Sequence, residues 1–305
     1  MPVNNQRGMV LLLVLVVIAL LSALLSEFAF STLVDLRLAE TFRDSTRAEY
    51  LARGGIEAGR MLLQNDRNSF DAKTPTELWS TGIQNYPVAA GDISINIDDL
   101  DGKLLLNKLV DLQGNPSQLY RERFVRLCSE LALDNPEALA DALIDWIDPD
   151  HEPQPLGAED SDYLRQQPAY EATDGPLQDL DELSLVQGFN AKTVNLLRPH
   201  VSVFGSGRLN VNTASAEVLR SWDADSSLEI DNLISSRAES PFQQLEELKD
   251  SIGLEAFSAL NRNLDLTVTS TYYLINSQGR VNSGSRRLTA VVDKSKDALL
   301  WQKVN

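Results

Sequence analysis

Nineteen residues from Asp145 to Tyr163, DWIDPDHEPQPLGAEDSDY, carry Asp145, Asp148, Asp150, Glu152, Glu159, Asp160 and Asp162, and no Lys or Arg. Three Pro and one Gly keep the stretch out of regular structure. Like charges this close repel, more so in a folded loop than in an open chain. The chemistry that suits them is capture of a hard cation. Ca²⁺ takes six to eight oxygens from carboxylates, backbone carbonyls and water, and a Pro/Gly loop leaves carbonyls free. Asp148, Asp150, Glu152 and Glu159 fall at the first, third, fifth and twelfth places of an EF-hand loop, but the sixth place is Pro153, which cannot make the required turn. The expectation is therefore Ca²⁺ in an irregular loop. Asp148, Asp150, Glu159, Asp160 and Asp162 are its first ligands. Asp145 has a solvent-facing place at a helix end as its alternative, and Glu152 is left undecided. The bland alternative is a solvated acidic loop. Trp146, Ile147, Leu156 and Tyr163 in the same stretch demand burial and weigh against it.

Other chemistries find little support. Paired carboxylates suit a hydrolase, yet no sugar-binding aromatic cluster, no G-x-S-x-G and no nucleophile with a base accompany them, so a membrane-anchored periplasmic hydrolase is the weakest of the readings. Two histidines, His151 and His200, are too few for a multi-His zinc or iron site. Cys128, the single cysteine, lies in an amphipathic pattern and reads as a core residue; it excludes an intramolecular disulfide. With 27 Lys and Arg against 44 Asp and Glu, the net charge of −17 repels phosphate backbones, so no nucleic acid is expected as main partner. The chain reads as a non-enzyme.

The elements that must position the acidic loop are mostly helical. SQLYRERFVRLCSELAL and NPEALADALIDWI are amphipathic, the second opening with Asn135 as N-cap and Pro136 at the first helical place. Helical patterns continue to about Leu264. On either side lie β patterns. GDISINIDDLDGKLLLN reads as strand, turn at Asp101-Gly102, strand. LTVTSTYYLINSQGRV and RRLTAVVDK follow the helical stretch, with a turn expected near Gln278-Gly279. Two or three strands alone bury no face. The fold expected is α+β, with a long N-terminal helix on a small antiparallel sheet and a large all-α domain inserted between its strands.

That first helix is expected from about Met9 to about Gln64. Met9 to Leu25 is interrupted only by Ser22, and no Pro occurs between Pro2 and Pro75. The apolar part spans about 25 Å at 1.5 Å per residue, just under a bilayer core. Arg7 precedes it and Glu27, Asp35 and Glu40 follow, which keeps the N-terminus in the cytoplasm and exports the rest. Gly54-Gly55 marks a bend or a close-packing point. The polar leader ending in Gly8 before Met9 resembles a prepilin leader, cut after Gly8 by a prepilin peptidase; an uncut single-pass anchor is the other reading. Pilin-like proteins carry Glu at the fifth residue after that Gly, and here it is Leu13. A carboxylate among apolar helices needs a partner, so a subunit with nothing ahead of it in a fibre can do without.

GRLNVNTASAEVLRSW, followed by ISSRAESPFQQLEELKDSIGL, resembles the helix-hairpin-helix modules of DNA-uptake proteins. Thr213 is expected to cap a helix with Glu217 in its first turn. The place of the glycine-rich phosphate hairpin reads SWDADSSLE, acidic and without Gly, which implies a packing unit without a phosphate site. A pilin-like DNA-uptake or membrane-anchored helix-hairpin-helix component is the competing functional reading.

Together, the Gly8 leader with Leu13, the segment DWIDPDHEPQPLGAED…Y, GPLQDLDELSLVQGF and LNVNTASAEVL resemble the K-type minor pseudopilins of bacterial type II secretion over nearly the whole chain. The resemblance implies a pilin-like body with a Ca²⁺-binding helical insertion and partnership with minor pseudopilins of types I and J and the major pseudopilin. It also implies a place at the tip of a periplasmic pseudopilus, anchored in the inner membrane, that exports folded proteins. On that reading residues 1–8 are leader, 9–26 the transmembrane half-helix, 27–106 the first part of the body, 107–265 the insertion and 266–305 the C-terminal strands.

Overall fold

The computed structural model describes residues 6–88, 91–223 and 227–304. Helix α1, Gln6–Asn65, is unbroken over 60 residues, about 90 Å at 1.5 Å per residue. Among the described residues it alone is long and apolar enough to cross a membrane. Its side chains stay exposed from Met9 to Leu38, and burial begins at Asp44. From there one stripe, Ala48, Ala52, Ile56 and Leu63, recurs at helical spacing and packs on a sheet. After α1 come the single turn α2 (Leu78–Thr81) and strands β1 (Ile83–Val88), β2 (Gly91–Asp99) and the two-residue β3 (Leu104–Leu105).

The body sheet has five antiparallel strands in the order β1-β2-β7-β8-β9, with β7 at Tyr272–Val281, β8 at Gly284–Asp293 and β9 at Ala298–Val304. Its inner face alternates as strand geometry requires. Ile93, Ile95 and Ile97 of β2, Tyr273 and Ile275 of β7, and Leu288, Ala290 and Val292 of β8 close one core with α1 and Trp79. Helix and sheet approach closely where side chains are missing. A Cβ on Gly55 would fall on the Ser277 hydroxyl, and one on Gly279 would fall on the Ala48 carbonyl. Gly55 is thus a close-packing point in a helix that continues unbroken through it.

Between β2 and β7 lies the insertion. Its helices are α3 (Gln118–Glu130), α4 (Pro136–Ile147), α5 (Asp160–Tyr163), α6 (Ala191–Leu197), α7 (Ala216–Trp222), α8 (Ser227–Glu239), α9 (Leu245–Ile252) and α10 (Leu254–Leu260). A second core gathers Phe124, Leu127, Cys128, Leu143, Trp146, Leu183, Leu209 and others. The insertion is not purely helical. Parallel two-residue ladders join β3 to β4 (Val201–Ser202) and β5 (Leu209–Asn210) to β6 (Leu266–Thr267). Leu104, Leu106, Leu266 and Val268 belong to this second core, so it reaches a few residues beyond the expected limits of 107 and 265 at both ends.

Several local expectations are corrected. Asp101-Gly102 makes no hairpin, because Leu104–Leu105 leaves the body to pair with Val201–Ser202. β2 instead pairs with β1, a strand the polar IQNYPV did not announce; Pro87 suits it to a sheet edge. β7 runs unbroken through Gln278-Gly279, where the glycine admits α1, and the turn falls at Asn282-Ser283, with Asn282 at φ 50°. Asn135 precedes α4 with φ 51° and makes no side-chain cap.

Ser215 caps α7, its hydroxyl accepting from Val218 N at 3.3 Å. Thr213 has another task. Its hydroxyl donates to the buried Asp99, which also accepts from Ser270 Oγ at 2.7 Å. Asp101 accepts from Ser206 N and Thr271 N at 2.7 Å each, and Asn210 Nδ2 donates to Ser270 Oγ at 2.7 Å. Asp71 accepts from Ser270 N and Tyr273 Oη at 2.7 Å and from Lys294 Nζ at 3.1 Å. These satisfied buried groups fasten the insertion to the body. The rest of that motif is knitted to itself: Arg237 Nη1 donates to Val211 O at 2.5 Å, and Asn212 and Phe242 exchange bonds at 2.8 and 2.9 Å. It is a packing unit. Residues 224–226, in the place of the phosphate hairpin, lie outside the described residues, as do residues 1–5 of the leader.

Candidate metal centre

Helix α4 is apolar on nearly every side; its buried acids Asp141 and Asp145 share one face at i and i+4, and the buried Asp148 follows as its C-cap. Asp141 is neutralised by Arg121, whose Nε and Nη2 reach it at 2.8 and 2.7 Å. Asp145 is fully buried, contrary to the solvent-facing alternative, because the loop after α4 folds back over it. Gln154 N donates to both its oxygens at 2.9 and 3.2 Å, and a Cβ on Gly157 would lie within its carboxylate. Only glycine lets the backbone pass there. Asp148, the residue ending α4, is 0 % exposed, and Glu159, ahead of α5, is 5 % exposed.

One oxygen each from Asp145, Asp148 and Glu159 lie within 4.8 Å of one another. Both oxygens of Asp148 and both of Glu159 are buried without a hydrogen-bond partner. Burial first, then the mutual repulsion of the acids, raises Asp145 to about 6 and Asp148 and Glu159 to about 7. Such orphaned oxygens are expensive unless a cation fills the space between them. The three donors are hard oxygens with neither imidazole nor thiolate, which fits Ca²⁺ rather than Zn²⁺.

The remaining expected ligands divide. Asp160 accepts from Ala172 N at 2.8 Å and stands in a second group with His151 and Asp174. Asp162 is turned away, accepting from Glu159 N at 3.3 Å and from Arg165 Nη2 at 3.0 Å. Asp150 is exposed and accepts from Glu152 N at 2.8 Å, and Glu152 is exposed as well. Leu156, expected inside, is 55 % exposed, whereas Trp146, Ile147 and Tyr163 are buried. Trp146 meets Tyr163 edge-to-face at 5.0 Å beside the cluster. Sequence reasoning missed Asp174. It repels Asp148 and Glu159 and keeps one buried oxygen without a partner. Its signal was an Asp-Gly-Pro turn just after the acidic stretch, and it sits at φ 48°.

Two family models, both described as type II secretion system protein K, match residues 102–206 and 209–268. The type II secretion system protein K of Pseudomonas aeruginosa is 28 % identical over 96 % of this chain and 90 % of its own length. That of Klebsiella pneumoniae is 32 % identical over 68 % of this chain and 66 % of its own. A solved chain from the crystal structure of the GspK-GspI-GspJ complex of the enterotoxigenic Escherichia coli type 2 secretion system shares the fold, with a TM-score of 0.66 and 20 % identity over 90 % of this chain and 99 % of that one. The motifs of the insertion, the pilin-like body and the single long helix agree with these likenesses, and the chain belongs to the type II secretion system protein K family.

Proposed function

We propose that this minor pseudopilin stands at the tip of a type II secretion pseudopilus, starts the fibre and caps it, with its inserted domain held in shape by Ca²⁺. The observation that carries this reading is polarity. Along the body, Gly279 of β7 lies against Ala48 and Leu51 of α1, Gly55 lies against Ser277, and Gly59 against Ile275. The start of β7 therefore lies toward the C-terminal end of α1. The insertion leaves the sheet at Asp99 and returns at Tyr272, with Leu100 N bonded to Tyr272 O at 3.0 Å. It grows from the end of the body farthest from the exposed apolar half-helix. Subunits can pack beneath along α1, whereas the insertion occupies the space above.

The absence of an acid between Gly8 and Glu27 agrees with this place, since a first subunit has no amine ahead of it to pair. By this reading the prepilin peptidase cuts between Gly8 and Met9, residues 9–26 sit in the inner membrane and the rest lies in the periplasm. The related solved complex joins GspK to GspI and GspJ; we assign this chain partners of the same two kinds, with the major pseudopilin below. Bound at Asp145, Asp148 and Glu159, Ca²⁺ would supply the neutralising charge that lets the loop close. The test is position. Gold-labelled antibody against the insertion is expected at one end of overproduced pseudopili; label spaced along the fibres would overturn the tip assignment.

A further inference from the structure

The negative charge of this molecule is not evenly spread. Residues 107–265 hold 12 Lys and Arg against 29 Asp and Glu, whereas the rest of the chain is balanced at 15 each. Where insertion and sheet meet, on the sheet face away from α1, cations converge instead. A cleft of about 660 Å³ opens there. Its floor is apolar, with Leu274, Val291, Trp301 and Phe204, and Asn276 and Asn195 border it with amide groups.

Five cations line this cleft: Lys73, Lys103, Arg198, Arg287 and Lys303. Two are already matched. Lys303 Nζ reaches Asp179 and Asp181 at 2.7 Å each, and Arg198 Nη2 reaches Asp181 at 2.6 Å. These pairs tie β9 to the insertion and fix the cleft wall. Lys73, Lys103 and Arg287 form no ion pair among the described residues. Burial lowers the Lys103 ammonium from its ordinary value; Asp98 of the cleft lining and Asp99 act against that shift, while Lys73 and Arg198 add to it. An anionic occupant would relieve that strain.

We infer that this cleft is a docking site for an extended acidic peptide segment of a partner protein, with apolar side chains on the Trp301 floor and carboxylates on Lys73, Lys103 and Arg287. Charge complementarity selects acid over base, and the apolar floor selects a peptide over a bare anion. Lipid headgroups are out of reach. The cleft borders the far end of the body, and Ser26 to Asn65 of α1 puts about 60 Å between that end and the apolar span.

The test uses the full chain in dodecyl maltoside with Ca²⁺, and fluorescence anisotropy of labelled hexapeptides. DLDFEL is expected to bind at least about tenfold more tightly than KLKFKL, and to weaken as salt rises. Lys73→Glu with Arg287→Glu, both at the rim, should weaken DLDFEL by about tenfold or more with an unchanged melting temperature. Trp301→Ala should weaken it without altering the salt dependence. Equal binding of the two peptides overturns the inference, as does indifference to the double reversal. Displacement of DLDFEL by phosphate or by anionic vesicles at equal charge would overturn it as well.

Discussion

Asp148 and Glu159 have opposite consequences with and without a cation, and that makes the site testable at single atoms. On the proposed reading, Ca²⁺ at a hundredfold excess over Kd would add about 2.7 kcal/mol to the folded state, so EDTA should lower the melting temperature. Asp148→Asn should abolish that response. In EDTA the same variant should melt at or above the parent, because a neutral amide removes a buried charge that has no partner; a variant far less stable than the parent in EDTA would instead make Asp148 a purely structural acid. The pH dependence has a defined sign. Asp148 and Glu159 are raised to about 7 by burial, from 3.8 and 4.5. Between those values the folded chain holds more protons than the unfolded one, so their contribution is full below about 4 and lost as pH rises through about 7. Chelated protein is therefore expected to lose stability from pH 5 to pH 8, and Ca²⁺ to restore most at pH 8, as read by thermal melts. The crowding of acids in one place was legible because charge density is a property of sequence. Its membership was not: Asp145 turned inward only because Gly157 lets the loop cross it, Asp162 was claimed by Arg165, and Asp174 came from a separate turn.

At the scale of elements, α1 and β7 meet through missing side chains, and two glycines should behave in opposite ways. Gly279→Val places carbon against Ala48 O, Ala52 N and Leu51 Cβ, all rigid neighbours, and should destabilise the body by about 1–3 kcal/mol or more. Gly54 has nothing within 4 Å of its Cβ position, so Gly54→Ala should stabilise the helix by about 0.5–1 kcal/mol. Urea unfolding followed by far-ultraviolet circular dichroism checks both; equal effects would mean that α1 does not seat on the sheet at Gly279. The long helix was legible because a seventeen-residue stretch broken only by Ser22, and the lack of Pro, need no tertiary context. The strands were harder. Gly279 looks like a turn to a local reading, since its cause is a helix more than two hundred residues earlier in the chain. Asp101-Gly102 looks like a hairpin, since the backbone donors that Asp101 accepts come from residues 206 and 271. Thr213 has the residue type of a helix cap, but the buried carboxylate of Asp99 takes its hydroxyl.

For the whole molecule the two cores make the sharpest claim. One holds α1, Trp79 and the strands β2, β7 and β8, the other the insertion, and the buried residues of the body core, Ile97 and Tyr273 among them, do not recur in the second. Asp99 and Tyr273 are register partners, so the two points where the chain leaves and re-enters the body are neighbours across the sheet. The insertion was legible from sequence for the same reason, as a helical period bracketed by strand periods. Removing residues 101–271 and joining Leu100 to Tyr272 through an Asn-Gly turn should then leave a foldable body, because the hairpin needs no long connection. That body loses the Thr213, Ser270 and Asn210 partners of Asp99, which becomes solvent-facing at the cut end rather than a buried orphan. It should keep the sheet signal in circular dichroism, unfold in one transition and ignore EDTA, since the cluster at Asp145, Asp148 and Glu159 has gone. In cells it should still reach the inner membrane but fail to support secretion. A body that cannot fold alone would show that the junction carboxylates serve both cores as one cooperative unit. A body that folds and still secretes would remove the insertion from the capping role, because nothing would then stand above the sheet.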